Sequence, residues 1–200
     1  QHDNILQGCL DEVGQAGFVS EAFSRFEAQV EGDRVRLTRT LDDGSTVERS
    51  IGFKAGEPEV IFCTSLLTHR GAEPRLYHYR TRPEFNAYTK SADDKILTAY
   101  AKGDTWVPFN RAWKEGMGPD NHILIESRGG GFAYFNHEAK SGLEVSYDPA
   151  QVKYPRLRWY PQYEQVNLEL FSQDVELKTG ETLGLDYAIR YLATAPGQTK

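Results

Sequence analysis

The clearest alternation of apolar and polar positions lies near the C-terminus. In "YEQVNLELF" (163–171), Val166, Leu168 and Leu170 fall on one side of an extended chain, and Gln165, Asn167 and Glu169 fall on the other. This predicts a strand with one apolar face and one face of amides and a carboxylate. After a turn at "KTGET", "LGLDYAIRYL" (183–192) repeats the pattern, with Leu183, Leu185, Tyr187, Ile189 and Tyr191 aligned. Upstream, "FEAQVEGDRVRLTRTLDDGSTVERSIGFK" (26–54) breaks into short alternating runs. Gly32-Asp33 and Asp42-Asp43-Gly44 separate them, and both are hairpin signals.

The continuous apolar run "EVIFCTSLLT" (59–68) predicts a central strand covered on both faces. "HRGAEP" then reads as a turn that leaves His69 exposed, and "RLYHYR" (75–80) as the next strand. Further strands are predicted at "HILIES" (122–127), "FAYFNH" (132–137), "LEVSYD" (143–148) and "PRLRWYP" (155–161), with a break at Gly129-Gly130-Gly131. Two stretches lack a period. Residues 1–25 mix helix-like and loop-like spacing and are read as mostly irregular. Residues 83–120, rich in proline, glycine and aromatics, are read as a long loop excursion with short strands at its ends, a kind of segment that tends to carry function. The expected architecture is mainly β: a single domain over residues 1–200, built as a large antiparallel β-sandwich.

Composition narrows the partners. The 200 residues carry a net charge of −6, which gathers neither nucleic acid nor an anionic membrane surface. No apolar run approaches the roughly 20 residues needed to cross a bilayer as a helix. Cys9 and Cys63 have no metal-ligand spacing around them, and Cys63 in "VIFC" reads as a buried small hydrophobe. Asp93-Asp94 and Asp42-Asp43-Gly44 lack calcium-loop spacing. "SRGGGF" lacks the lysine and the strand-to-helix setting of a phosphate loop, so no metal or cofactor is expected. The start at Gln1 suggests a removed signal peptide, a trimmed tag or an excised domain.

Three stretches carry a family resemblance: 30–53, "TSLLTHRGAEPRLYHYRTRPEFNAY" (64–88) and "VNLELFSQDVELKTGETLGLDYAI" (166–189). Together they resemble the galactose mutarotase-like superfamily, the aldose 1-epimerases and their carbohydrate-binding relatives, whose fold is a twisted β-supersandwich. The family's "v-c-l-E" strand matches Val166 to Glu169. Its "l-x-P-G-E" turn matches Leu177 to Glu181, with Thr179 in place of the proline. "AGFVSEAF" (16–23) is similar to a segment that normally lies well inside the family domain, which implies a chain that lacks the first strands or a reduced version of the domain.

By this resemblance Glu169 stands at the catalytic base, which would take the anomeric hydroxyl proton while a histidine protonates the ring oxygen. The histidines that the family pattern predicts are absent: "TRPEF" places Arg82 at one such position, and Ala16 occupies the other. Arginine cannot shuttle a proton near neutral pH, but its planar fork can hold hydroxyls or a carboxylate. His78, which shares a face with Leu76 and Arg80, is the candidate replacement acid. Arg80 and Arg82, two apart on one strand, form a candidate clamp for an acidic sugar such as a uronate. Trp106 and Trp113 are candidate stacking platforms, with Asn110 and Arg111 between them, whereas Trp159 is expected to pack at a strand end. His137 and Asn167 complete the candidate binding set.

The leading expectation is a carbohydrate-recognising domain for a mono- or oligosaccharide, with an altered or absent epimerase acid. The alternatives are an active aldose 1-epimerase-like isomerase with Glu169 and His78, and a structural or interaction β-domain. A periplasmic or secreted location fits the non-Met start and the sugar-linked resemblance.

Overall fold

The computed structural model describes residues 7–15, 26–86, 96–102, 105–108, 122–124, 129–160 and 165–196, and these form fifteen strands in two antiparallel sheets. The larger sheet runs in the order β2 (Glu27–Glu31), β3 (Arg34–Thr40), β4 (Thr46–Lys54), β5 (Glu57–Thr68), β15 (Thr182–Leu192), β11 (Ser141–Tyr147), β10 (Gly131–Asn136), β7 (Ile96–Lys102) and β8 (Thr105–Pro108). The smaller runs β1 (Gln7–Gln15), β6 (Arg75–Asn86), β13 (Gln165–Ser172), β12 (Val152–Tyr160) and β9 (His122–Leu124). The short β14 (Val175–Leu177) pairs with the start of β6. This is the antiparallel β-sandwich that the alternating runs predict.

The core lies between the sheets. Tyr77, Tyr79 and Phe85 of β6, Leu157 of β12 and Val166, Leu168 and Leu170 of β13 meet Val47, Cys63, Leu67, Val145, Leu185, Tyr187 and Ile189 of the larger sheet. Each such side chain contributes about 1.5–3 kcal/mol by leaving water. Arg49 also lies in this interior, where its Nη2 donates to the Tyr187 hydroxyl at 2.7 Å. The hairpin signals hold: Gly32 and Gly44 adopt left-handed φ values of 66° and 83° in the β2–β3 and β3–β4 turns.

Four expectations are corrected. Residues 7–15, read as irregular, form β1 and pair with β6. The supposed excursion at 83–120 contains the hairpin β7–β8 on the larger sheet, and β6 runs on to Asn86. β5 is central in hydrogen bonding, between β4 and β15, but is covered on one face only: Phe62 and Leu66 are 45% and 41% exposed. A continuous apolar run does not reveal which of its two faces meets a second layer.

His69 is 1% exposed rather than exposed. Its Nε2 donates to the Glu73 carbonyl at 2.8 Å, and its Nδ1 lies 3.0 Å from the Tyr77 hydroxyl and 3.2 Å from Ser45 Oγ. The Tyr77 hydroxyl donates to Asp43, which also binds Arg75 at 2.6 Å. Burial works against the Asp43 charge, but hydrogen bonds from Ser45 and Tyr77 and the Arg75 charge outweigh it and hold the carboxyl below its ordinary value. His69 thereby ties the β3–β4 turn to the start of β6.

Candidate functional site

The interior face of β13 is apolar, so alternation turns Asn167, Glu169 and Phe171 to the face of the smaller sheet that points away from the larger one. The register fixes their neighbours. Tyr154, Arg156 and Arg158 of β12 stand opposite Phe171, Glu169 and Asn167. On the other flank, Arg80 of β6 stands opposite Phe171 and Glu84 opposite Asn167. Directly opposed residues of antiparallel strands share a face, so three strands bring these groups together.

Glu169 is fully buried and is the charged centre of the group. Arg80 Nη2 donates to its Oε1 at 2.8 Å, and Arg156 donates to its Oε2. Both guanidiniums also lie over the Phe171 ring, with Arg80 Cζ 5.2 Å and Arg156 Cζ 4.7 Å from its centroid. Tyr154 stacks on the same ring at 4.6 Å. Each oxygen of the carboxylate is thus engaged by a guanidinium. The arrangement is suited to holding two planar cations in fixed positions, a geometry that recognises oxyanions and hydroxyls.

The predicted site residues divide. Glu169, Arg80 and Asn167 are brought together, and Asn167 is fully buried beside Arg158 in register. Arg82 occupies the next position of β6 on the same face, and its side chain lies outside the described residues, as does that of Trp159. His78 is not beside Glu169. It sits two residues before Arg80, past the end of β13, and its Nδ1 lies 3.8 Å from Asp174. Trp106 belongs to β8 at the edge of the larger sheet, and His137 is exposed in the turn after β10, its ring against Phe135. Asn110, Arg111 and Trp113 lie outside the described residues.

Sequence reasoning missed Arg156, Tyr154 and Phe171. The signal was present: "YPRLRW" puts Tyr154, Arg156 and Arg158 on one face of a strand, just as "NLELF" does for Asn167, Glu169 and Phe171. Among the described residues, no group of three or more His, Cys, Asp or Glu side chains is gathered as a metal would require.

No family model and no curated protein sequence matches the chain. Solved structures do match its fold, which is the galactose mutarotase-like β-sandwich. A galactose mutarotase related enzyme from Lactobacillus acidophilus aligns with a TM-score of 0.65 at 11% identity, over 90% of this chain and 76% of that one. A galactose mutarotase-like protein from Lactobacillus casei aligns with a TM-score of 0.64 at 11% identity, over 86% and 76%. The GalM/aldose epimerase homologue from C. elegans aligns with a TM-score of 0.65 at 10% identity, over 88% and 71%. At such identities the likeness is one of fold.

Proposed function

We propose that the chain is a carbohydrate-recognising mutarotase-like domain that binds a mono- or oligosaccharide without interconverting its anomers. One observation carries the reading: the carboxylate matched by resemblance to the epimerase base is buried with an arginine on each of its oxygens. An epimerase needs a base free to accept a proton and an acid across the ring from it. Here the carboxylate is committed to Arg80 and Arg156, and His78 stands past the end of the strand beside Asp174. The partly exposed groups of this face include the Arg156 guanidinium and the Tyr154 ring, which serve to hold hydroxyls and C–H faces.

The test combines binding with catalysis on one sugar panel. Ligand-observed NMR with neutral and acidic mono- and oligosaccharides is expected to detect binding. Exchange spectroscopy on the same samples is expected to find anomer interconversion no faster than in buffer. Acceleration that disappears in Glu169→Gln would replace this reading with the epimerase. Failure to bind any saccharide would remove the carbohydrate reading altogether.

A further inference from the structure

Arg156 differs from the other arginines of the site. Its contacts are with Glu169 and the Phe171 ring, and its side chain remains 18% exposed. A guanidinium has five N–H donors, and one carboxylate oxygen together with a ring face does not use them all. Glu169 and Phe171 fix the plane and height of the group, so its free edge is held in place before any ligand arrives. Such pre-ordering removes part of the entropy cost of binding.

Charge sets the kind of ligand. The chain as a whole carries −6, yet on this face the register gathers Arg80, Arg156 and Arg158 around the carboxylate of Glu169, which binds the first two. Among the described residues around Glu169, arginines therefore outnumber acids on this face of an otherwise acidic protein. A planar fork with its edge free matches a carboxylate in two parallel hydrogen bonds, which a neutral hydroxyl cannot reproduce.

We propose that the site selects saccharides that carry a carboxylate, with Arg156 as the group that grips it and Glu169 and Phe171 as positioning residues. The inference rests on the carbohydrate reading above. It adds that acidic sugars bind in preference to neutral ones of the same shape.

The test compares trigalacturonate with its methyl ester, which removes the charge and keeps the sugar. Calorimetric titration of the wild-type protein is expected to give at least about tenfold tighter binding of the acid, with the advantage falling as salt is raised. In Arg156→Gln the acid is expected to bind no better than the ester. Arg156→Lys keeps a positive charge beside Glu169 and so protects the fold, and it is expected to lose most of the advantage because an ammonium cannot form the fork. Circular dichroism of both variants checks the fold. Equal, salt-insensitive binding of acid and ester overturns the inference and leaves saccharide binding standing. An acid preference unchanged in both variants overturns the role of Arg156. Binding of neither overturns the inference together with the reading beneath it.

Discussion

Arg80 Nη2 lies 2.8 Å from Glu169 Oε1, and neither side chain is appreciably exposed. The pair joins β6 to β13 across residues 89 apart in the chain. With Arg156 on the other oxygen, the carboxylate links three adjacent strands.

Glu169→Gln leaves two guanidiniums facing a neutral amide at a position that is itself fully buried. Removing one member of such a buried set costs about 3–5 kcal/mol. Urea denaturation is expected to show a lower midpoint by an amount in that range, with an unchanged slope.

Replacing the whole set is expected to behave differently. In a triple variant, Arg80→Met, Glu169→Leu and Arg156→Met, the three paired charges leave together, and stability should lie within about 1–2 kcal/mol of the wild type or above it. The same variant should bind no acidic saccharide. A stable, non-binding triple variant would separate the role of the charges in recognition from any role in holding the fold.

Asp43 has a folded carboxyl held below its ordinary value of 3.8. Its contribution is therefore present at neutral pH and is lost as pH falls through the folded value. Asp43→Asn is expected to be less stable than the wild type at neutral pH. The gap should narrow as pH falls below the ordinary value of 3.8 and close once the folded carboxyl has taken up its proton. Denaturation midpoints followed across that range check the sign.

Two glycines on neighbouring strands give opposite expectations. A Cβ at Gly142 would lie 2.3 Å from the Tyr134 carbonyl oxygen and 2.8 Å from Phe135 Cα, both backbone atoms of β10. Gly142→Ala must push two hydrogen-bonded strands apart and is expected to cost at least about 1–3 kcal/mol. At Gly184 the nearest atoms are 3.8 and 4.0 Å away. Gly184→Ala should be neutral or stabilising by up to about 1 kcal/mol, because it restricts the unfolded chain without a clash. Thermal melts of the two variants provide the comparison.

The sequence was most legible where the two faces of a strand meet surroundings of different chemistry. β13 and β15 alternate cleanly because their inner residues meet the opposite sheet, although Tyr191, counted with the apolar set, is 52% exposed near the end of its strand. β1 was illegible because "QGCLDEVGQ" has two glycines and no alternation, and its place is set by pairing with a strand about 70 residues away. His69 was misread for a similar reason. Its partners Ser45 and Tyr77 come from different turns and strands, and only the fold assembles them.

The site shows the same division. Alternation announced a polar face with Glu169 on it, which is local information. That the carboxylate is already occupied depends on Arg80 and Arg156, which reach it from 89 and 13 residues away. Periodicity along one strand cannot reveal what its neighbours present.

Because β13 is buried on both sides, it has no tolerance for slippage. Moving it by a single residue against β6 and β12 would drive Glu169 between Tyr79 and the leucines of the interior and set Leu168 among guanidiniums. Either error alone is severe, and one displacement causes both. The ionic cluster therefore works as a key for strand alignment, so that the chain reaches its correct pairing or fails to close the sandwich at all.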